Sequence, residues 1–355
     1  MKKKLLSLLL VAGLVAGLVT GCGGSAENSK AEGSQAADGT PAEAAAGEED
    51  TIVIRSCFAT GMTGAVNNFA IEKGLYKELG IEFDNIEWSS NDEVLSLITR
   101  GEIDVADGDP STYIPGIYNG VPAKLVGNMW RYSGCFWLIG NKDVQSFEDL
   151  KGKNIGTASA AGGMKLSVLK MLEKNGIAED EVTLTANGVY QGAYATLTSG
   201  EVDATIIHNP YAVLAEEEGN GHILGRAWDY IPDYYTGTII ASNTMIEKEP
   251  EKLQRFLNAY YKVHEEVKNE YFDEFVAWAA EKMNTSEDTM RKAIESEIDV
   301  WLDYPVIPED RLDATVTYLK DYGWLDEDVD YSGTFTNEFA EKTAQELGLK
   351  DPEAE

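Results

Sequence analysis

The chain has 355 residues, 29 Lys+Arg against 61 Asp+Glu, a formal net charge of −32 and 3 Cys. That length is enough for two domains or two lobes, and 43% hydrophobic with 25% charged residues is the make-up of packed cores, not of wholesale disorder. The acidic balance argues against nucleic acid, whose phosphates need a basic face, and against docking on anionic lipid by charge; three cysteines make neither a disulfide framework nor a four-Cys zinc site.

Lys2, Lys3 and Lys4 precede an apolar run over residues 5–19, the pattern of a secretory signal and short for a membrane span. The run ends at Val19, Thr20, Gly21 and Cys22, which resembles a bacterial lipobox. The resemblance implies a signal peptide over 1–21 and lipidation of Cys22; an ordinary cleavable signal with an incidental Cys is the alternative. Residues 23–50 hold no aromatic residue and no Ile, Leu or Val, so nothing there offsets the entropy of ordering. Residues 22–50 therefore read as a lipidated Cys and a flexible tether, with a coil reach of about 30 Å.

From residue 51 the pattern alternates. Strands are predicted over 51–56, 81–88, 103–106, 123–129, 154–157, 182–184 and 204–207, and helices over 65–79, 93–99, 164–175 and 190–199. Such alternation predicts an α/β fold with mostly parallel sheets. From about residue 249 the spacing of Leu253, Phe256, Leu257, Tyr260 and Tyr261 predicts a helical tail.

One stretch is echoed. Residues 98–106, with Gly101, Glu102 and Asp104, reappear as residues 197–205, with Gly200, Glu201 and Asp203. Each copy ends a helix on a glycine suited to the left-handed position after the last turn, then enters a strand. Each strand runs into a polar turn with proline, at Asp107, Asp109 and Pro110 and at His208, Asn209 and Pro210. Two copies imply two similar lobes, and ligands of open α/β sheets lie beyond the carboxyl ends of the strands.

The lipobox, the tether, Gly61-Met62-Thr63-Gly64, the Gly101–Asp104 turn, Phe147 to Gly156 and His208-Asn209-Pro210-Tyr211 together resemble the substrate-binding proteins of ABC importers, in the nitrate/sulfonate/taurine (NMT1/THI5-like) family. The resemblance implies a two-lobed periplasmic-binding-protein-like (type II) fold with the ligand cleft between the lobes. It places the first lobe at 51–142, the second at 143–238, and the return to the first lobe with the C-terminal helices at 239–355. It implies a monomeric, lipid-anchored extracytoplasmic receptor with no cofactor, no metal and no catalytic residues, whose partners are a small-molecule ligand and the permease subunits. An enzyme of the same fold, like a pyrimidine-precursor synthase, and a sensory or adhesive lipoprotein are the competing readings.

Within that frame the expected ligand contacts are Met62, Thr63, Asp107, Asp109, Ser111 and Trp130 from the first half, and Ser159, Ala160, Gly162, Gly163, Tyr190, His208, Asn209, Tyr211 and Tyr235 from the second. Residues 156–165 lack the phosphate-loop spacing but offer free N–H groups at a helix start, a competent anion site. Sulfonate and taurine binders carry Ser or Thr hydroxyls where this chain has Ala161, Gly162 and Gly163, which weakens the sulfonate case. Tyr190, Tyr211 and Tyr235 suit a stacked ring or a cation. The expectation leans slightly to a small organic anion over an aromatic heterocycle. His208, His222 and His264 show no metal-ligand spacing, and Cys57 or Cys135 beside His208 is the one conceivable nucleophile–base pair.

Overall fold

The computed structural model describes residues 51–130 and 133–353; the signal, Cys22 and the tether lie outside the described residues. In chain order the elements are β1 (Ile52–Cys57), α1 (Gly61–Lys73), α2 (Leu75–Glu78), β2 (Ile81–Asn85), α3 (Asn91–Arg100), β3 (Val105–Gly108), α4 (Pro110–Tyr118), β4 (Ala123–Asn128), β5 (Trp137–Asn141), β6 (Asn154–Gly156), α5 (Gly163–Lys174), β7 (Thr183–Thr185), α6 (Tyr190–Thr198), β8 (Ala204–Ile207), α7 (Tyr211–Glu217), β9 (Gly221–Arg226) and β10 (Thr238–Ser242). The tail follows as α8 (Asn243–Lys248), α9 (Pro250–Asn269), α10 (Phe272–Lys282), α11 (Glu287–Glu295), α12 (Glu309–Asp321) and α13 (Glu338–Leu347).

Two five-stranded sheets organise these elements, in the orders β2-β1-β3-β10-β4 and β7-β6-β8-β5-β9. The two orders are equivalent. Each sheet has four strands running one way and one, β10 in the first and β5 in the second, inserted against them. The sheets are thus mostly parallel, as expected, with one reversed strand in each that the expectation did not include. The reason is the crossing of the chain: β5 and β10 arrive from the other half and run against the strands they join. Neither was predicted, nor was β9. β5 lies ahead of the 142/143 boundary yet pairs with β8 and β9, so the second sheet begins at Trp137.

Apolar layers cover both faces of each sheet. Successive residues of a strand point to opposite faces, so Ile239 joins one cluster and Ile240 another, as do Val126 and Leu125, and Leu138 and Ile139. Sheets covered on both faces carry continuous apolar strands instead of alternating ones. α9 sets Leu253, Phe256, Leu257, Tyr260 and Tyr261, all buried, into the largest cluster, as its spacing predicts.

The tail also braces both crossings. Trp130, at the first, meets Trp301 edge-on at 4.5 Å and accepts the Leu302 N–H on its carbonyl at 2.7 Å. At the second, Tyr235 N–H donates to Thr315 Oγ1 of α12 at 2.9 Å, and the Tyr318 hydroxyl donates to Asp233 at 2.9 Å.

Candidate ligand-binding cleft

The site is assembled where β1, β3, β6 and β8 end. β1 runs into a loop held from below: Asp107 Oδ1 accepts the Ala59 N–H at 2.7 Å, and Trp130 Nε1 donates to the Thr63 carbonyl at 3.1 Å. α1 starts against that loop so closely that a β-carbon at Gly64 would lie 1.8 Å from the Ala59 oxygen. This contact explains the second glycine of the 61–64 motif.

β3 runs into Asp109, whose carboxylate accepts from backbone N–H groups of both halves. Oδ1 accepts the Ser111 N–H at 2.9 Å and caps α4. Oδ2 accepts the Gly163 N–H at 3.0 Å, at the start of α5 in the other half. A β-carbon on Gly163 would stand 2.9 Å from that oxygen and 2.8 Å from the Tyr234 hydroxyl, so glycine is what permits the approach.

A cavity of about 100 Å³ lies beside this bridge, small against the ~300–1,000 Å³ of drug-sized sites. Ala59, Thr63, Trp88, Asn91, Gly108, Asp109 and Thr236 line one side, and Phe136, Met164, Val189, Tyr190 and His208 the other. The His208 ring has Phe136 edge-on at 5.0 Å and Tyr190 tilted at 5.2 Å. Thr63 Oγ1 and Trp88 Nε1 are buried without a hydrogen-bond partner, a state that costs about 1–3 kcal/mol per group and that a ligand's polar atoms would relieve. Among the described lining residues there is no Lys or Arg. Larger depressions, of about 690 Å³ against α10 and 380 Å³ at the end of α5, lie away from these strand ends.

Of the expected contacts, Thr63, Asp109, Tyr190 and His208 line the cavity. The N–H groups of Ser111 and Gly163 are engaged by Asp109, and Asp107 is spent on the loop. Ser159 and Ala160 are exposed, with the Ser159 hydroxyl donating to the Ala161 carbonyl; Gly162, at φ +101°, precedes α5. Met62 and Trp130 belong to the apolar core under the loop. Tyr235 is buried in the cluster on the other face of the first sheet, and Tyr211 beside Tyr194 in the second half. These two rings were expected on the cleft wall; packing against their own sheets draws them inward instead. Asn209 donates to the Ala293 carbonyl, Ser296 Oγ and Glu297 Oε2 at 3.0, 3.0 and 3.1 Å, which makes it a brace to the tail.

The sequence names none of Trp88, Asn91, Phe136, Met164, Val189 and Thr236 as contacts, yet all six line the cavity. Trp88 was read as the end of a strand; an aromatic just beyond a strand's carboxyl end is the signal that was available. Of the two thiols considered beside His208, Cys57 is unsuited as a nucleophile. Cys57 is buried, and burial, then Asp107 and Glu93, push its thiol up to about 12, far from the thiolate that chemistry requires.

A family model described as NMT1/THI5 like matches residues 65–270. The putative binding protein YtlA of Bacillus subtilis is 25% identical over 286 residues, covering 78% of this chain and 85% of its own. The 4-amino-5-hydroxymethyl-2-methylpyrimidine phosphate synthase THI5 of Saccharomyces cerevisiae is 25% identical over 204 residues, covering 54% of this chain and 59% of its own. Among solved structures, a putative periplasmic sulfonate-binding protein SsuA of Methylobacillus flagellatus superposes with a TM-score of 0.68 at 20% identity, over 86% of this chain and 98% of its own. At that identity the likeness shows the fold: two lobes of the periplasmic-binding-protein kind.

Proposed function

The chain belongs to the NMT1/THI5-like family, and we propose that it is the extracytoplasmic solute receptor of an ABC importer, closing two lobes on a small organic molecule and delivering it to the permease. The observation that carries this reading is the cavity itself. It lies beyond the strand ends, both halves line it, and the Asp109–Gly163 hydrogen bond joins the halves beside it. Such a site binds by bringing two bodies together, and binding stabilises the closed arrangement through contacts with both. The lobes of this reading are 51–142 with 239–355, and 143–238, with β5 lending its strand to the second. Removal of residues 1–21 and lipidation of Cys22 would hold the monomer at the membrane on the 22–50 tether.

The anion expected from the sequence, of the sulfonate, taurine or nitrate kind, is the weaker fit. Trp88, Phe136, Tyr190 and His208 supply aromatic walls, and Thr63 and Trp88 supply polar groups in want of partners. That combination supports an aromatic heterocycle of the pyrimidine kind, held by its ring faces and edge. The synthase name among the relatives raises an enzyme reading; the buried, protonated Cys57 argues for the receptor instead.

Titration calorimetry with a hydroxymethylpyrimidine, taurine, an alkanesulfonate and nitrate, paired with small-angle scattering, tests this. The heterocycle should bind and shrink the radius of gyration. Binding with an unchanged scattering profile would remove lobe closure. Failure of all four, with no solute carried through purification in native mass spectrometry, would remove the receptor.

A further inference from the structure

Between the two halves lies a small apolar cluster separate from the cores of the two sheets. Leu166 of α5, Ile231 and Tyr234 are its buried members, and Tyr318, Tyr322 and Trp324 pack against it half-buried. None of the six lines the cavity. Helical spacing accounts for the arrangement. α5 turns Met164, Val168, Met171 and Leu172 into the core of the second half, and Leu166 out of it. α12 turns Leu312, Val316 and Leu319 into a core of the first half, so Tyr318 and Tyr322, four residues apart, share another face.

Charge is added to this seam. Lys170 Nζ lies 5.3 Å from the centres of both the Tyr318 and the Tyr322 rings, and Lys165 Nζ lies 5.9 Å from that of Trp324. An ammonium group over a ring face is attracted to it, the more so where water is partly excluded. The packing is open on one side, where a depression of about 380 Å³ runs between Tyr322 and Leu169, Leu172 and Ile177. Packed helices with such room can slide in small steps as two bodies rotate.

α5 also reaches the cleft, because its first residue, Gly163, gives its N–H to Asp109 of the other half. Parting the lobes draws Gly163 from Asp109 and Tyr190 from Gly61, and it must shift α5 past α12 as well. In this structure the seam and the contacts across the cleft are made together, so the free energy of the seam counts toward the closed arrangement.

We propose that the α5–α12 seam is a clasp built into the fold: Leu166, Lys170, Tyr318 and Tyr322, outside the cavity, set how far the lobes rest toward closure before any solute arrives. This takes lobe closure from the receptor reading and adds a determinant of it that no solute touches. Apparent affinity scales with the fraction already competent to bind, so the clasp tunes affinity from outside the site.

The test uses the full chain without added solute, spin-labelled at Ser89→Cys and Gln191→Cys. Both positions are exposed, and their neighbours Trp88 and Tyr190 stand on opposite walls of the cavity. Cys57 and Cys135 are buried, and Cys22→Ala removes the remaining thiol. Pulsed dipolar spectroscopy reads the distance across the cleft in this parent and in Lys170→Met, Tyr318→Ala and Tyr318→Phe. Thermal melts check that each folds, and Lys170→Met keeps the aliphatic stem. Lys170→Met and Tyr318→Ala should raise the long-distance population relative to the short one by about threefold or more, and Tyr318→Phe, which keeps its ring beneath Lys170, should move it less. An unchanged distribution in folded Lys170→Met and Tyr318→Ala overturns the clasp, and so does a shift to shorter distances, which would show the seam holding the lobes apart. Solute binding and closure in calorimetry and scattering, with the label distances unmoved by these variants, would remove the clasp and leave the receptor standing.

Discussion

A β-carbon placed on Gly61 would stand 2.5 Å from Cε1 of Tyr190. Gly61 opens α1 in the first half and Tyr190 opens α6 in the second, so the pair is a contact across the cleft. Both have left-handed backbone, at φ +58° and +53°. Glycine adopts that conformation freely; for tyrosine it costs of order 1–3 kcal/mol, and such strain gathers at ligand sites. The ring is held in a costly backbone position that sets it against the one residue with room for it.

Gly61→Ala is accordingly expected to obstruct closure. Solute affinity should fall by tenfold or more, about 1.4 kcal/mol, in calorimetry, with a weaker solute-induced change in scattering. Adding Tyr190→Ala removes the obstructing ring, so the double variant should lose less than the sum of the singles, with a coupling of ~0.5–3 kcal/mol. Additive losses would show that the two residues do not meet in the bound state.

Asn209→Ala should act on stability and not on binding. Glu297 is only 2% exposed and accepts hydrogen bonds from Asn209 Nδ2 at 3.1 Å and Trp137 Nε1 at 3.2 Å. Withdrawing a donor from a buried carboxylate costs about 1–3 kcal/mol, read as a lower urea midpoint. Solute affinity should stay within about threefold, since the amide lies outside the cavity lining. A large loss of affinity at unchanged stability would restore Asn209 as a ligand contact.

His264 predicts an acid-sensitive fold. It is wholly buried, stacks on Tyr260 at 4.2 Å, and is pushed down to about 3 by burial and then by Lys268. The unfolded chain takes up the proton near pH 6.5 and the folded chain does not. Stability is therefore present above about pH 6.5 and is lost as the pH falls below it, by ~1.4 kcal/mol per unit, or ~2 kcal/mol at pH 5. Asp303, 3.9 Å from His264 Nδ1, has its carboxyl raised by burial and contributes with the opposite sign. His264→Phe keeps a ring against Tyr260 and removes the titration. Urea unfolding at pH 7 and pH 5 should show the wild type losing ~2 kcal/mol more than this variant; equal losses would reject the assignment.

Cys22→Ala should move the protein from membranes to the soluble extracytoplasmic fraction, because attachment would come from buried acyl chain and the tether lies ahead of the first strand. Solute affinity should not change. Wild-type protein found wholly soluble on cell fractionation would dispose of the anchor.

Local chemistry was readable in the residues alone. The echo of 98–106 in 197–205 appears as two glycines in the left-handed region, Gly101 at φ +70° and Gly200 at φ +77°, each leading into the central strand of its sheet. A helix end and a strand start are decided by a few neighbouring residues, so the pattern carries them. The stripe of α9 was legible for the same reason, because helical period and burial on one face go together.

The tertiary structure alone decided the rest. β5 and β10 run against their sheets because the chain crosses between halves, and no periodicity within five residues records where a strand came from. The aromatic residues were visible as a set, yet Tyr211 and Tyr235 turn into the cores while Trp88 and Phe136 reach the cavity. Which side of a ring's own backbone faces the second sheet depends on how the halves meet. Asp109 and Gly163 stand 54 positions apart. Each reads locally as a helix-start residue; only their meeting across the cleft makes one the other's anion. Backbone propensity acts over a few bonds, whereas the cleft's charge and shape come from groups that chain packing brings together from far apart in sequence.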